Sequence, residues 1–135
     1  MRALEETHQA DNTLVIFTCD NGTSPKADFD QMDAAGVHLN VHWRGWKADA
    51  YEGGHRVPFV ARWPGKIAAG SDSQQTITLA DIMATCADVL QHELPADAAE
   101  DSVSLLPTLR GMVLTEDDIL RRNIENRFGQ HAPEH

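Results

Sequence analysis

The stretch Thr13-Leu14-Val15-Ile16-Phe17-Thr18 constrains the fold more than any other part of this 135-residue chain. It is a continuous β-branched and aromatic run without the polar alternation of a half-buried strand, the kind found in strands covered on both faces. A central, parallel strand is therefore expected. Ahead of it, Met1 to Ala10 has helix-forming composition but too few apolar positions for a stable isolated helix, and reads as the last turns of a longer one. Helix, short turn and buried strand make an αβ unit, and in open α/β sheets the ligand site lies at the carboxyl ends of the strands. Asp20, Asn21 and Gly22 fall at that end.

Residues 23 to 43 mix Gly, Pro, Asp, Asn and two histidines with no sustained period, so a long excursion loop with a single helical turn is expected. Loops of that length in compact domains are functional or disordered. Arg56 to Trp63 reads as a second strand, with Pro58 near its start where a missing donor is tolerable, and Pro64-Gly65 closes it. Ile77, Leu79, Ile82, Met83, Cys86, Val89 and Leu90 take up helical spacing from about Leu79 onward, which predicts an amphipathic helix packed on the sheet. Ser104 to Gly111 suggests a short helix ended by Gly111. In the charged final stretch, Glu116-Asp117-Asp118 and Arg121-Arg122 suit the two ends of a helix, while Gly129 and Pro133 point to fraying.

The length fits one compact unit. With 21 acidic residues against 11 basic ones, net −10, the chain is no nucleic-acid binder, since phosphate neutralisation needs clustered Lys and Arg. No apolar stretch approaches the ~20 residues needed to span a bilayer, and the amino terminus carries no basic-then-apolar signal. Cys19 and Cys86 are too few for a disulfide framework and have apolar neighbours, which makes packing their expected role.

Two blocks carry chemistry. Asp20-Asn21-Gly22 offers a carboxylate and an amide carbonyl, hard oxygen donors suited to Ca²⁺ or Mg²⁺, but two ligands are short of the six or more such an ion takes. The same tripeptide is an ordinary turn, and alone it reads as one. The block Arg44-Gly45-Trp46-Lys47-Ala48-Asp49-Ala50-Tyr51-Glu52-Gly53-Gly54-His55-Arg56-Val57-Pro58 brings cations for an anionic group. Lys47 suits a point charge on an oxyanion, although a solvated loop lysine is the commoner case. Glu52 could pair with Arg44, Arg56 or Lys47, a structural role ahead of acid catalysis. His55 could be a general acid, a ligand or a packed polar residue, and His38 and His42 could meet a substrate from the excursion loop. Trp43, Trp46 and Trp63 read as core or loop anchors.

Taken in order, Thr-Leu-Val-Ile-Phe-Thr-Cys-Asp-Asn-Gly, the Lys47 block with its Glu-Gly-Gly-His-Arg-Val-Pro-Phe, and Trp-Pro-Gly-Lys-Ile resemble the carboxyl-terminal half of the catalytic domain of type I sulfatases, arylsulfatase-like members of the alkaline phosphatase superfamily. The resemblance covers residues 1 to 111, including Leu79-Ala80-Asp81-Ile82 and Ser104-Leu105-Leu106-Pro107, and leaves 112 to 135 poorly matched. It implies an α/β fold, part of a sandwich with a mainly parallel central sheet flanked by helices. It also implies hydrolysis of aryl or carbohydrate sulfate esters by a formylglycine nucleophile beside Ca²⁺. On the matching positions Asp20 and Asn21 would hold the metal and Lys47 would contact the sulfate. His55 is a weaker catalytic candidate and His42 a weaker substrate contact.

Neither Cys19 nor Cys86 fits the Cys/Ser-x-Pro/Ala-x-Arg motif from which formylglycine is made, so the chain holds no nucleophile. The expectation is a sulfatase fragment, inactive by itself, that calls for a complementary amino-terminal segment or associates with itself. Its parent would be periplasmic or secreted, although nothing in the sequence fixes the location. Two other readings stay open: a non-catalytic metal- or partner-binding remnant, and a phosphoesterase of the same superfamily. Asp-Asn weighs against the latter, because those enzymes commonly carry Asp-His here, and imidazole suits zinc or manganese where an amide oxygen suits calcium.

Overall fold

The computed structural model describes residues 1–40, 42–95 and 97–115. The acidic and basic clusters expected to cap a last helix, Glu116-Asp117-Asp118 and Arg121-Arg122, lie outside the described residues. The chain divides into two compact units, Leu14–Ala61 and a second made of Met1–Thr13 with the residues from Arg62 onward.

The first unit holds the apolar run. Strand β1, Val15–Thr18, pairs with β2, Phe59–Arg62, in a two-stranded sheet. The chain turns back on itself between them: just past β1, the Gly22 amide donates to the Gly54 carbonyl at 2.9 Å, ahead of β2. The two strands therefore run antiparallel, and the mainly parallel sheet expected is not seen among the described residues. Nor is β1 covered on both faces within the described residues, since Phe17 stays 63% exposed. In β2 half-buried and exposed residues alternate, with Val60 facing solvent.

Between the strands, the excursion loop contains helix α2, Phe29–Ala34, longer than the single turn expected. Asp28 caps it by accepting from the Gln31 amide at 3.0 Å. Helix α3, Glu52–His55, was not legible in Glu-Gly-Gly-His, because each glycine costs about 1 kcal/mol in a helix relative to alanine. Packing explains it. Gly22, Gly53 and Gly54 let backbones meet: a β-carbon on Gly22 would collide with the Gly53 carbonyl, and one on Gly53 with the Gly45 carbonyl.

The second unit contains helix α1, Arg2–Glu6, a 3₁₀ turn at Ala10–Asn12, helix α4, Asp81–Val89, and helix α5, Leu106–Leu109. Arg62 donates to the Ala10 carbonyl at 3.3 Å. Helices α4 and α5 pack together, and Gly111 follows α5 with φ +83°, the stop expected there. Ala10, Ala87, Leu105 and Leu106 are the buried apolar residues among those described. Polar groups finish the α4–α5 corner. Thr85, 1% exposed, donates to the Asp81 carbonyl and accepts from the Leu105 amide at 2.8 Å. Asp81 accepts from the amides of Thr78 and Val103. Cys19 and Cys86 are both free and exposed, so neither takes the packing role expected of it.

Candidate functional site

The two chemical blocks meet in the first unit. Three residues beyond Asp20, the Thr23 carbonyl accepts from the Lys47 amide at 2.9 Å, and Gly22 is bonded to Gly54. These two backbone bonds hold the turn after β1 against the block that carries Lys47 and His55. The Gly53 amide donates to the Arg44 carbonyl at 2.8 Å, and Asn40 Nδ2 donates to the Gly45 carbonyl at 2.6 Å, which closes the block on itself.

Asp20 is exposed and Asn21 half-buried. Asn21 Nδ2 donates to Asp20 Oδ1 at 3.0 Å and to the Gly22 carbonyl at 3.3 Å, so the amide is steered by its neighbours and its oxygen has no hydrogen-bond partner among the described residues. Hard oxygens from adjacent residues at a strand end fit a calcium-type ion by donor chemistry. Among the described residues no group of three His, Cys, Asp or Glu side chains gathers to hold a metal.

Lys47 is exposed and forms no ion pair among the described residues. It occupies the second position of a turn, Trp46 to Asp49, in which the Asp49 amide donates to the Trp46 carbonyl at 2.9 Å. Ala48, in the third position, has φ +81°. A side chain in that region costs roughly 1–3 kcal/mol and persists only where the surroundings hold it. The Phe29 ring of α2 rests on Trp46, with centroids 4.5 Å apart.

Glu52 chooses Arg56 among its three expected partners: Nη1 to Oε2 is 2.7 Å. His55 Nε2 lies 3.6 Å from the other carboxylate oxygen. The hydrogen bond from Arg56 holds the Glu52 carboxyl below its ordinary range, against an opposing effect of desolvation that is larger than the aid from either the Arg56 or the His55 charge. The Arg56 guanidinium also lies 4.1 Å over the Trp43 ring, and Arg44 lies 3.9 Å over Tyr51. His42 packs on Trp43, with centroids 4.4 Å apart, while His38 pairs with Asp33 at 3.2 Å. Thus Asp20, Asn21, Lys47 and His55 lie in segments joined by backbone bonds, and His42 reaches the same block through Trp43. Asp49 was missed, because its bond to the Trp46 amide exists only once the turn has formed.

Residues 1–92 match the sulfatase family. The chain belongs to that family. It is 40% identical over 132 residues to the N-acetylgalactosamine-6-O-sulfatase of Bacteroides thetaiotaomicron, an alignment covering 93% of this chain and 25% of that protein. It is 37% identical over 109 residues to the human N-acetylgalactosamine-6-sulfatase, covering 81% and 20%. A solved sulfatase structure from work on glycosaminoglycan metabolism by Bacteroides thetaiotaomicron superposes with a TM-score of 0.71 at 38% identity, covering 82% of this chain and 24% of that one. This sulfatase chain therefore spans about a fifth to a quarter of the length of these relatives. The alkaline-phosphatase-like α/β character expected of it agrees with that neighbour. No helix among its described residues is long and apolar enough to cross a membrane.

Proposed function

We propose that this sulfatase chain supplies the metal-holding and sulfate-contacting part of an enzyme that hydrolyses sulfate esters, with carbohydrate sulfates as the substrate class. The observation that carries the reading is the backbone joining of the Asp20-Asn21-Gly22 turn to the Lys47 block, through Gly22 to Gly54 and Lys47 to Thr23. The carbohydrate preference rests on the names of the two relatives, both of which act on a sulfated N-acetylgalactosamine.

In this reading Asp20 and Asn21 would hold a calcium ion through oxygen atoms, with further ligands from outside the described residues. Such an ion would supply positive charge beside the sulfate group. Lys47 donates from its ammonium to a sulfate oxygen as charge builds there during cleavage, and it is worth more in the transition state than in the ground state. His55, tied to Glu52, is the residue available to carry a proton to the leaving alcohol. His42 contributes an exposed ring for substrate contact. The attacking formylglycine comes from outside these 135 residues, which hold no Cys/Ser-x-Pro/Ala-x-Arg motif. By itself the chain is expected to turn over no substrate.

The test uses an enzyme that contains this segment together with the nucleophile motif. Lys47→Ala should lower kcat/KM for an aryl sulfate by about 10²–10³, the loss typical of removing one charge-stabilising donor. Metal analysis of the same enzyme should find calcium. An unchanged kcat/KM would overturn the role of Lys47, and zinc or manganese in place of calcium would favour a phosphoesterase.

A further inference from the structure

We propose that Asp49 is a positioning residue for Lys47, acting through the turn from Trp46 to Asp49; the proposal rests on Lys47 being the sulfate contact. The turn is closed twice. Its main chain is bonded from the Asp49 amide to the Trp46 carbonyl at 2.9 Å, and the Asp49 side chain returns the bond, Oδ2 accepting from the Trp46 amide at 3.0 Å. Lys47 and Ala48 are enclosed between these bonds.

The second closure has a physical reason. A φ of +81° at the third position is that of a type II turn, a place that favours glycine, and here it is filled by alanine. Alanine does not hold this conformation by preference, so the turn depends on what fixes its ends. Asp49 fixes one end from within, Phe29 covers Trp46, and the Lys47 amide is anchored on the Thr23 carbonyl. With its backbone fixed on both sides, Lys47 starts its side chain from a fixed Cα–Cβ direction. Among the described residues the exposed Asp49 carboxylate makes no ion pair, and its bond is to the turn.

Charge alone predicts the opposite of this role. Removing a carboxylate two residues from Lys47 would strengthen binding of an anion, whereas loss of a positioning residue weakens it. The experiment is a titration of the 135-residue chain with inorganic sulfate, followed by NMR at the Lys47 amide, together with hydrogen exchange at the Trp46 amide. Asp49→Ala should speed exchange at Trp46 and weaken sulfate binding by about tenfold, the effect of losing one charge-assisted hydrogen bond. Asp49→Asn keeps an acceptor oxygen and should bind within about twofold of the native chain, since it keeps the hydrogen bond while dropping the charge. Ala48→Gly added to Asp49→Ala should recover binding, because glycine adopts the turn without help.

Unchanged or tighter sulfate binding in Asp49→Ala overturns the proposal, as does unchanged exchange at Trp46. Failure of both Asp49→Asn and the Ala48→Gly double variant to restore binding shows that neither the hydrogen bond nor the turn conformation is what Asp49 supplies, and overturns it too. If Lys47→Ala binds sulfate as the native chain does, the Lys47 reading fails, and the exchange data still report whether Asp49 holds the turn.

Discussion

Glu52 shows how an exposed residue can order a site without being buried. Its carboxylate draws Arg56 to 2.7 Å and His55 to 3.6 Å, while Arg56 covers Trp43 and Trp43 carries His42. The sequence offered Glu52 three cations, and helical spacing decides among them: Arg56 is four residues on, within reach once residues 52–55 form a helix. The Glu52 pKa is lowered from 4.5, so its pairing contributes stability that is present above that value and lost as pH falls through the lower folded value. Glu52→Gln should therefore show a small, pH-independent deficit at neutral pH that closes in acid below about 4.5, read from denaturation midpoints between pH 2 and 8. Gly22 marks the other limit of legibility. Asp-Asn-Gly reads as a turn from sequence, but the need for glycine comes from Gly53, about thirty residues away, whose carbonyl occupies the space of a β-carbon. Gly22→Ala should destabilise the chain by at least ~1–3 kcal/mol, the range for overpacking, as measured by urea denaturation, and should perturb the Lys47 amide in NMR spectra.

At the scale of elements, α4 was legible because Ile82, Val89 and their neighbours repeat at helical spacing, and β1 because β-branched residues run together. Helix α3 was hidden, since its formation depends on close backbone approach that only the folded chain reveals. Strand direction was hidden for a similar reason: local composition signals a strand, whereas its partner's direction is set by how residues 23 to 58 return. The joint between α4 and α5 also depends on tertiary structure. The Ser102 hydroxyl accepts from the Ala84 amide at 2.9 Å and donates to the Ala80 carbonyl at 2.7 Å, thereby standing in the i to i−4 ladder at the start of α4. Thr85 bonds the same helix to the Leu105 amide. Thr85→Val keeps the volume and removes the acceptor, leaving that buried amide unpaired at a cost of ~1–3 kcal/mol. Thr85→Ser retains the hydroxyl and should lose less, about the value of one methyl group, ~1 kcal/mol. Equal losses in the two variants, compared by thermal denaturation, would mean that packing rather than the hydrogen bond sets the joint.

For the molecule as a whole, the balance between apolar exposure and charge decides its behaviour in solution. Four small or medium apolar residues are buried among those described, whereas Phe17, Val60 and Leu90 are each at least 60% exposed, and Val113 is 89% exposed. Both strands of the two-stranded sheet thus present an apolar side chain to water, and such a sheet also has unpaired edges. A net charge of −10 opposes association by repulsion between copies, over a range that shrinks from about 30 Å at 0.01 M salt to about 3 Å at 1 M. Hydrophobic attraction gains from salt while repulsion is lost. The chain should therefore sediment as small species at low ionic strength and shift to larger ones as sodium chloride is raised toward 1 M. Phe17→Glu should reduce the shift, because it adds repulsion where the strand is most exposed. A polypeptide that covers the same strands, such as the complementary part of a sulfatase domain, should suppress it in the native chain. A single monomeric boundary at all salt concentrations would show that these exposed side chains are tolerated as they stand, and that no covering segment is needed for solubility.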